Sequence, residues 1–441
     1  MNSKIKEKIV LFWFRRDLRL DDNAGLYYAL KSGYPVLPLF IFDKNILDDL
    51  TNKKDDRITF IYKHIEDIRK ELRSHDADIL VEYGFPEDVW KKLSDQYDIA
   101  EIYTNTDYEP YATDRDKKIF RIVKEKGTAF KGCKDQVIFE KNEILSGQGT
   151  PYTVFTPYSR AWREKSNEFY LSSYPTKKYI KNLLKWTAPA SPTIKEMGFE
   201  ESDYDFPSDH IQPEKLKHYA QERDFPAENA TSRLGVHLRF GTISIRELAR
   251  EAKDHSGVFL NELIWRDFYQ QILWNFPEVG RGKAFRSAYD NIKWRYDKED
   301  FKKWCDGQTG YPLVDAGMRQ LNEIGFMHNR VRMVTASFLS KHLLIDWRLG
   351  EAYFAEKLLD YDLAANNGGW QWAAGSGTDA APYFRIFNPT AQAERFDPKQ
   401  EYIKKWVPEF GTDQYPEPMV DHKMARERCL KAYKLALNAD K

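Results

Sequence analysis

Five short apolar runs, separated by amphipathic stretches, fill the first third of the chain and restrict its fold more than any other feature. They are IVLFWF (Ile9–Phe14), VLPLFIF (Val36–Phe42), DILVEY (Asp78–Tyr83), IAEIYTN (Ile99–Asn105) and TAFKGC (Thr128–Cys133). Helical patterns such as RITFIYKHIEDIRKELRSH and RDKKIFRIVKEK lie between them. Strands alternating with helices predict a doubly wound α/β domain on a parallel sheet, here over residues 1–135. No GxGxxG or GxxxxGK follows the first strand, which removes a Rossmann dinucleotide fingerprint and a P-loop. Lysines precede Ile9–Phe14, but the run is short, ends in RRDLRLDD and has no small-residue cleavage site. It reads as a buried strand, not a signal peptide.

The texture changes twice further on. Proline and polar residues thicken from Leu171 to about Pro213, so residues 136–212 read as a connector that wraps over the surface. Beyond it, TISIRELAREAKDH, NELIWRDFYQQILWNF, LVDAGMRQLNEIG and NRVRMVTASFLSKHLLIDW carry helical spacing without β-rich runs. Residues 213–441 therefore predict an all-α domain. A length of 441 residues is too great for one ordinary core, which agrees with this division.

Composition excludes more than it assigns. Lys plus Arg equals Asp plus Glu at 68 each, so any footprint for a polyanion must be local. The three cysteines, Cys133, Cys305 and Cys429, are odd in number and far apart, which gives no disulfide framework and no zinc spacing and fits a reducing cytoplasm. No stretch approaches the roughly 18–20 apolar residues of a membrane span.

Three stretches carry chemistry. In ATSRLGVHLRFG (Ala230–Gly241), Thr231, Ser232 and Arg233 offer hydroxyls, N–H groups and a cation ahead of a helix: a pyrophosphate seat, or simply a helix cap. NELIWRDFY (Asn261–Tyr269) brings Glu262, Trp265 and Arg266 onto one helical turn, which an amphipathic helix with a charge pair would also do. DYDLAANNGGWQWAAGSGTDAAPYFRIFNP (Asp360–Pro389) is different: it has few core-forming aliphatics but is dense in Asp, Asn, Gly and Trp. Such composition is costly unless its polar groups have designated partners. Gly368 and Gly369 would permit close backbone approach or unusual φ.

Together with FWFRRDLRLDDN, MHNRVRM and LLIDW, these stretches resemble the DNA photolyase/cryptochrome family, from about Ile9 to Pro408. Within it they are most similar to class I cyclobutane pyrimidine dimer (CPD) photolyases. The resemblance implies an N-terminal antenna domain and a C-terminal helical domain holding a folded FAD, active in its reduced anionic form. FAD contacts are implied at Tyr219, Thr231, Ser232, Arg233, Leu234, Gly235, Asp360, Tyr361 and Asp362, with Arg332 pairing Asp360 and Asn366 facing flavin N5. The flipped dimer would stack on Trp265 and Trp372 and hydrogen-bond Glu262, whose pKa should be raised. Asn329, Arg330 and Met333 match pocket and DNA-contact positions, and Arg223 and Gln392 other contacts on the DNA face. Trp370, Trp347 and Trp294 match an electron-transfer chain, although core packing explains their spacing equally well.

The activity so implied is light-driven electron transfer to a dimer in UV-damaged DNA. A cryptochrome-type blue-light receptor is the alternative; Asn366, the Glu262/Trp265/Met333 pocket and the lack of a long tail after KKWVPEF speak against it. In (6-4) photolyases the positions of Asn329 and Met333 hold histidines, which leaves His328 here without that partner. DNA contact through phosphates should be salt-sensitive. Two basic segments are candidates: Arg160–Trp186, equally readable as a solvated helix face, and the run Arg330, Arg332, Lys341 and Arg348. A second, antenna chromophore is implied. Tyr111 and Ala112 stand where folate-binding members carry Asn-Glu, so a deazaflavin, another flavin or an empty site fits better than a folate. The expected molecule is a cytoplasmic monomer, nucleoid-associated on DNA, with no metal, no membrane contact and no obligate protein partner.

Overall fold

A computed structural model of the chain describes residues 7–438. Two compact units emerge, and they interleave along the sequence: residues 1–140, 165–210 and 233–251 form one, residues 141–164, 211–232 and 252–441 the other.

The first unit is built on five parallel strands, β1 (Ile9–Phe14), β2 (Val36–Asp43), β3 (Leu80–Gly84), β4 (Ile99–Asn105) and β5 (Ala129–Cys133), in the order β3-β2-β1-β4-β5. All five predicted strands form. β1 and β2 are buried along their whole length, as strands covered on both faces must be, whereas β5 at the edge is mostly open. Helices α1 (Ala24–Leu30), α2 (Asp56–Arg73), α3 (Pro86–Gln96) and α4 (Pro110–Glu125) make the crossovers. Trp13, Leu39, Trp90, Leu93 and Ile119 are central to the core.

The stretch expected as a surface connector is instead shared between the units. In the first, Leu184 donates its N–H to Val36 O at 2.8 Å and its side chain joins the sheet's core. In the second, residues 155–164 belong to α5 (Phe155–Lys165), whose Tyr158 and Trp162 are buried. Residues 233–251 likewise join the first unit, not a helical domain. Arg246 explains the placement: it is buried, and it bonds Asp22 at 2.9 Å and Asp135 at 2.8 Å, both buried carboxylates. A buried charge left unpaired would cost several kcal/mol, so this triad anchors the segment.

The second unit is helical: among the described residues no strand lies beyond Cys133. Helices α6 (Pro213–Glu222), α7 (Gly235–Phe240, in the first unit), α8 (Ile245–His255, in the first unit as far as Glu251), α9 (Gly257–Asn275), α10 (Pro312–Ile324), α11 (Asn329–Ser337), α12 (Trp347–Lys357), α13 (Leu363–Ala374), α14 (Pro389–Phe396) and α15 (His422–Asn438) carry the residues that matter below. The helical spacing over Asn329–Trp347 does not yield one helix. After Ser337 the chain widens into a π turn, Leu343 N–H donating to Phe338 O at 3.0 Å, and Leu344 takes a left-handed backbone with φ +55°. Asp346 then caps α12 by accepting from Arg348 N–H. Apolar periodicity reported the burial of these residues and could not report the break.

Candidate active site

Helix α13 carries the NNGGWQW part of the Asp360–Pro389 stretch, Asn366 to Trp372. Asp362 caps it, accepting from Ala365 N–H at 3.1 Å, and left-handed Gly375 ends it. Trp370 points into the core, edge-on to Phe354 (5.0 Å) and to Trp304 (6.0 Å). A Cβ at Gly350 would strike the Trp370 ring, so α12 can pass it only because residue 350 lacks a side chain. Trp372, two residues on, is half-buried and tilted against Phe387 at 6.4 Å. The two indoles therefore leave the helix in different directions.

The polar residues of α13 divide by partner. Asn367 donates to Val279 O at 3.1 Å, and Gln371 accepts from Phe285 N–H at 2.8 Å and donates to Lys283 O at 3.1 Å. These two staple the neighbouring loop and are structural. Asn366 gives its amide hydrogens to Glu351, at 3.1 Å to the backbone carbonyl and 2.9 Å to the carboxylate. Its side-chain oxygen is left facing away from that pair. Burial raises the Glu351 pKa, against the opposing effect of the Asn366 bond. Asp362 also accepts from Gln270 at 3.2 Å, and Asp360 takes two bonds from Arg332, at 2.9 and 3.1 Å. The expected Arg332–Asp360 pair is thus present. Gly368 and Gly369 have ordinary φ. Gly368 is required because a Cβ would meet the Tyr269 ring of α9, whereas nothing lies within 4 Å of a Cβ at Gly369.

Helix α9, capped by Ser256, presents Glu262, Trp265 and Tyr269 along one face. The Glu262 carboxylate is held by Arg223, which follows α6. Burial raises the Glu262 pKa, and the Arg223 charge opposes that only in part. Some 32% of the side chain reaches solvent, so the carboxyl sits at the rim of the surface while its head is hemmed in by protein. The pairs continue outward: Arg223 lies 3.8 Å from Asp224, Asp224 accepts from Arg330 at 2.8 Å, and Arg330 stacks over Phe396 at 4.3 Å. Trp265 lies flat on Phe155, with centroids 3.8 Å apart and planes 4° from parallel. Neither Arg223–Glu262 nor Phe155–Trp265 has a sequence signal, because each joins distant segments.

The other expected positions lie as follows. Asn329 is exposed at the first turn of α11 and Met333 half-buried on it; His328, buried, caps the helix through Nδ1 and has its pKa lowered by burial to about 4. Gln392 sits half-buried on α14, and its buried side-chain oxygen finds no protein donor among the described residues. Tyr219 is buried edge-on to Phe259 at 5.2 Å, and Tyr361 packs on the helical core. In the 231–235 stretch, Thr231 O accepts from Lys215 Nζ at 3.3 Å, Arg233 has φ +54°, and Leu234 stands at the cap of α7, which begins at Gly235. Trp294, Trp347 and Trp370 share one core cluster, where Trp304, unremarked in the sequence, joins them.

The basic run Arg330, Arg332, Lys341 and Arg348 is not an open cationic face. Lys341 is buried, its ammonium donates to Arg385 O at 2.9 Å, and burial lowers its pKa to about 8. Arg348 pairs with Asp346 at 3.1 Å and also with Asp290. In the other basic segment, Arg163 bonds Gly257 O at 3.0 Å and Asn261 at 2.9 Å. In the first unit, Tyr111 gives its hydroxyl hydrogen to Asp43 at 2.5 Å and Ala112 is buried, so this pair presents neither carboxamide nor carboxylate. Among the described residues no cluster could hold a metal and no helix is long and apolar enough to cross a membrane.

The helical unit thus carries ion-paired carboxylates, a stacked indole and a core cluster rich in tryptophan. Residues 259–412 match the FAD binding domain of DNA photolyase and residues 10–178 the DNA photolyase model. The deoxyribodipyrimidine photo-lyase of Halobacterium salinarum is 36% identical over 97% of this chain and 99% of its own. The class III photolyase of Agrobacterium tumefaciens has 34% identity, a TM-score of 0.85 and 98% coverage of both chains. The photolyase of Sulfolobus tokodaii, solved with two FAD molecules, has 34% identity and a TM-score of 0.80 over 96% of this chain and 99% of its own. The chain belongs to the DNA photolyase family. It is an enzyme of DNA repair, a photo-lyase, with FAD as its cofactor.

The residues present fit that cofactor. The Asn366 oxygen is left free by the Glu351 bonds, and the helix surface at Gly369 is bare. Asp360, a few residues before Asn366 in the chain, is ion-paired with Arg332 at 2.9 Å.

Proposed function

We propose that the substrate is a cyclobutane pyrimidine dimer, flipped out of DNA and bound against α9. Glu262 and Trp265, one turn apart on that helix, carry the reading: a carboxyl with a raised pKa beside a flat indole suits two fused, apolar rings that bear carbonyl oxygens. Reduced anionic FAD, when bound, supplies under light the electron that opens the cyclobutane ring and receives it back.

The residues of the chain do the rest. Protonated Glu262 donates a hydrogen bond to a dimer carbonyl and so stabilises the charge that develops there. Trp265 and Trp372 wall the lesion, with Asn329, Arg330 and Met333 at its margin and Arg223 and Gln392 toward the DNA strand. Tyr219, Thr231, Ser232, Arg233, Leu234, Gly235, Tyr361 and Asp362 hold the cofactor, and Arg332 with Asp360 sets the field around its ring. Asn366, its hydrogens held by Glu351, would offer its oxygen to the flavin ring. Trp370, Trp347 and Trp294 conduct an electron inward when the oxidised protein is photoreduced.

His328, neutral at ordinary pH and without a histidine at 329 or 333, supports CPD over (6-4) chemistry. At the antenna position this reading prefers a deazaflavin, another flavin or an empty site to a folate. The chain acts as a monomer in the cytoplasm and at the nucleoid. The test is light-dependent repair of a CPD oligonucleotide by purified, reduced protein beside a (6-4) substrate. CPD repair alone is the expected result; no CPD repair would transfer the reading to a blue-light receptor.

A further inference from the structure

We infer that Phe155 and Asp379 are positioning residues for Trp265, holding its indole in one orientation before the lesion arrives; the inference rests on the reading of Trp265 as the lesion-stacking residue. The Phe155 ring covers one indole face in a near-parallel stack, 3.8 Å between centroids and 4° between planes. Phe268 braces both rings edge-on, 5.9 Å from Phe155 and 5.6 Å from Trp265. Tyr269 lies tilted against the same indole at 5.4 Å, so a stacking ligand is confined to the part of the face opposite Phe155, and the edge, that these rings leave uncovered.

Phe155 is itself fixed. It opens α5, and its backbone N–H donates to the Asp379 carboxylate at 3.1 Å. Asp379 occupies a left-handed backbone at φ +46°, a conformation that aspartate tolerates better than most residues but that still carries strain. Its neighbour Thr378 donates its hydroxyl to Thr153 O at 2.7 Å, so two consecutive loop residues pin the start of α5. The far end of α5 is tied to the same partner helix, Trp162 Nε1 donating to Asp267 on α9 at 2.9 Å. Clamped at both ends, α5 cannot slide along α9 without breaking one clamp. A half-buried tryptophan would otherwise sample several rotamers, and ordering it would be charged against binding. The stack removes that cost in advance.

The test compares dark binding of a CPD-containing duplex and an undamaged duplex to the flavin-loaded protein. Variants are Phe155→Leu, Phe155→Tyr, Asp379→Ala, Asp379→Asn, Trp265→Ala and the double variant Phe155→Leu/Trp265→Ala. Phe155→Leu should weaken binding of the damaged duplex about two- to tenfold, the range an aromatic pair contributes. Binding of the undamaged duplex should not change. Phe155→Tyr and Asp379→Asn should retain wild-type discrimination, and Asp379→Ala should resemble Phe155→Leu. In the Trp265→Ala background Phe155→Leu should add nothing. The tyrosine and Asp379 variants decide the matter independently should the leucine variant not fold. Wild-type binding by Phe155→Leu and Asp379→Ala, with Trp265→Ala impaired, would overturn the positioning role alone. Tighter binding by Phe155→Leu would mean that the ring occupies the lesion's own place. Undiminished binding by Trp265→Ala would remove the stacking reading and the inference with it.

Discussion

Asn366 is held by Glu351 through both its amide hydrogens, at 3.1 Å and 2.9 Å, so the face it turns elsewhere is an acceptor. Which atom an asparagine offers decides whether it favours a protonated or an unprotonated neighbour, and here the second residue makes that choice. Glu351→Ala should release the carboxamide to rotate, and reduced flavin in that variant should reoxidise in air several-fold faster. Glu351→Gln keeps an acceptor and should reoxidise near the wild-type rate. Stopped-flow absorbance separates the two, and equal rates in both variants would remove the orienting role.

The raised pKa of Glu262 gives a pH dependence of defined sign. A carboxyl lifted above its ordinary range keeps its proton to higher pH, so the donating form predominates below the raised value and is lost as pH rises through it. Repair by pre-reduced protein at saturating DNA should accordingly fall on the alkaline side. Arg223→Ala removes the charge that opposes the rise and should move that fall to higher pH. Glu262→Gln has no proton to lose and should flatten the profile while lowering the yield. A flat wild-type profile would contradict the protonated-donor role.

Trp294→Phe should slow photoreduction of the oxidised protein by more than an order of magnitude and leave repair by pre-reduced protein nearly intact. Flash photolysis and a single-turnover repair assay read the two separately. Equal loss of both would place Trp294 in packing only, a role that its edge-on contact with buried Tyr433 at 6.1 Å could also serve.

The two glycines of α13 should behave oppositely. Gly368→Ala drives a methyl into the Tyr269 ring and should cost about 1–3 kcal/mol in urea unfolding. Gly369→Ala meets nothing and should gain about 0.5–1 kcal/mol from helix propensity. Like effects at both positions would mean that α13 packs otherwise.

The strands of the first unit were legible because burial on both faces leaves continuous apolar runs, and β1 and β4 match their predicted limits to the residue. The two directions of Trp370 and Trp372 follow from their spacing once the stretch is helical, because a helix turns about 100° per residue. Long-range pairing was not. Arg223 and Glu262 are 39 residues apart, and nothing local to either announces the other. Lys341 shows the converse error: a charged residue among arginines reads as surface, and only the packing of the helical unit buries it. The interleaving of 141–164 and 233–251 was hidden for a related reason, since a contiguous reading cannot see that Arg246 answers Asp22 and Asp135.

Gly350 and Trp370 share one volume: the indole occupies the space that a side chain at 350 would need. Neither position can therefore be varied alone at low cost. A larger residue at 350 demands a smaller ring at 370, and a smaller ring at 370 leaves a void that a methyl at 350 could fill. In a library of variants, or across lineages, the two should change as a compensated pair.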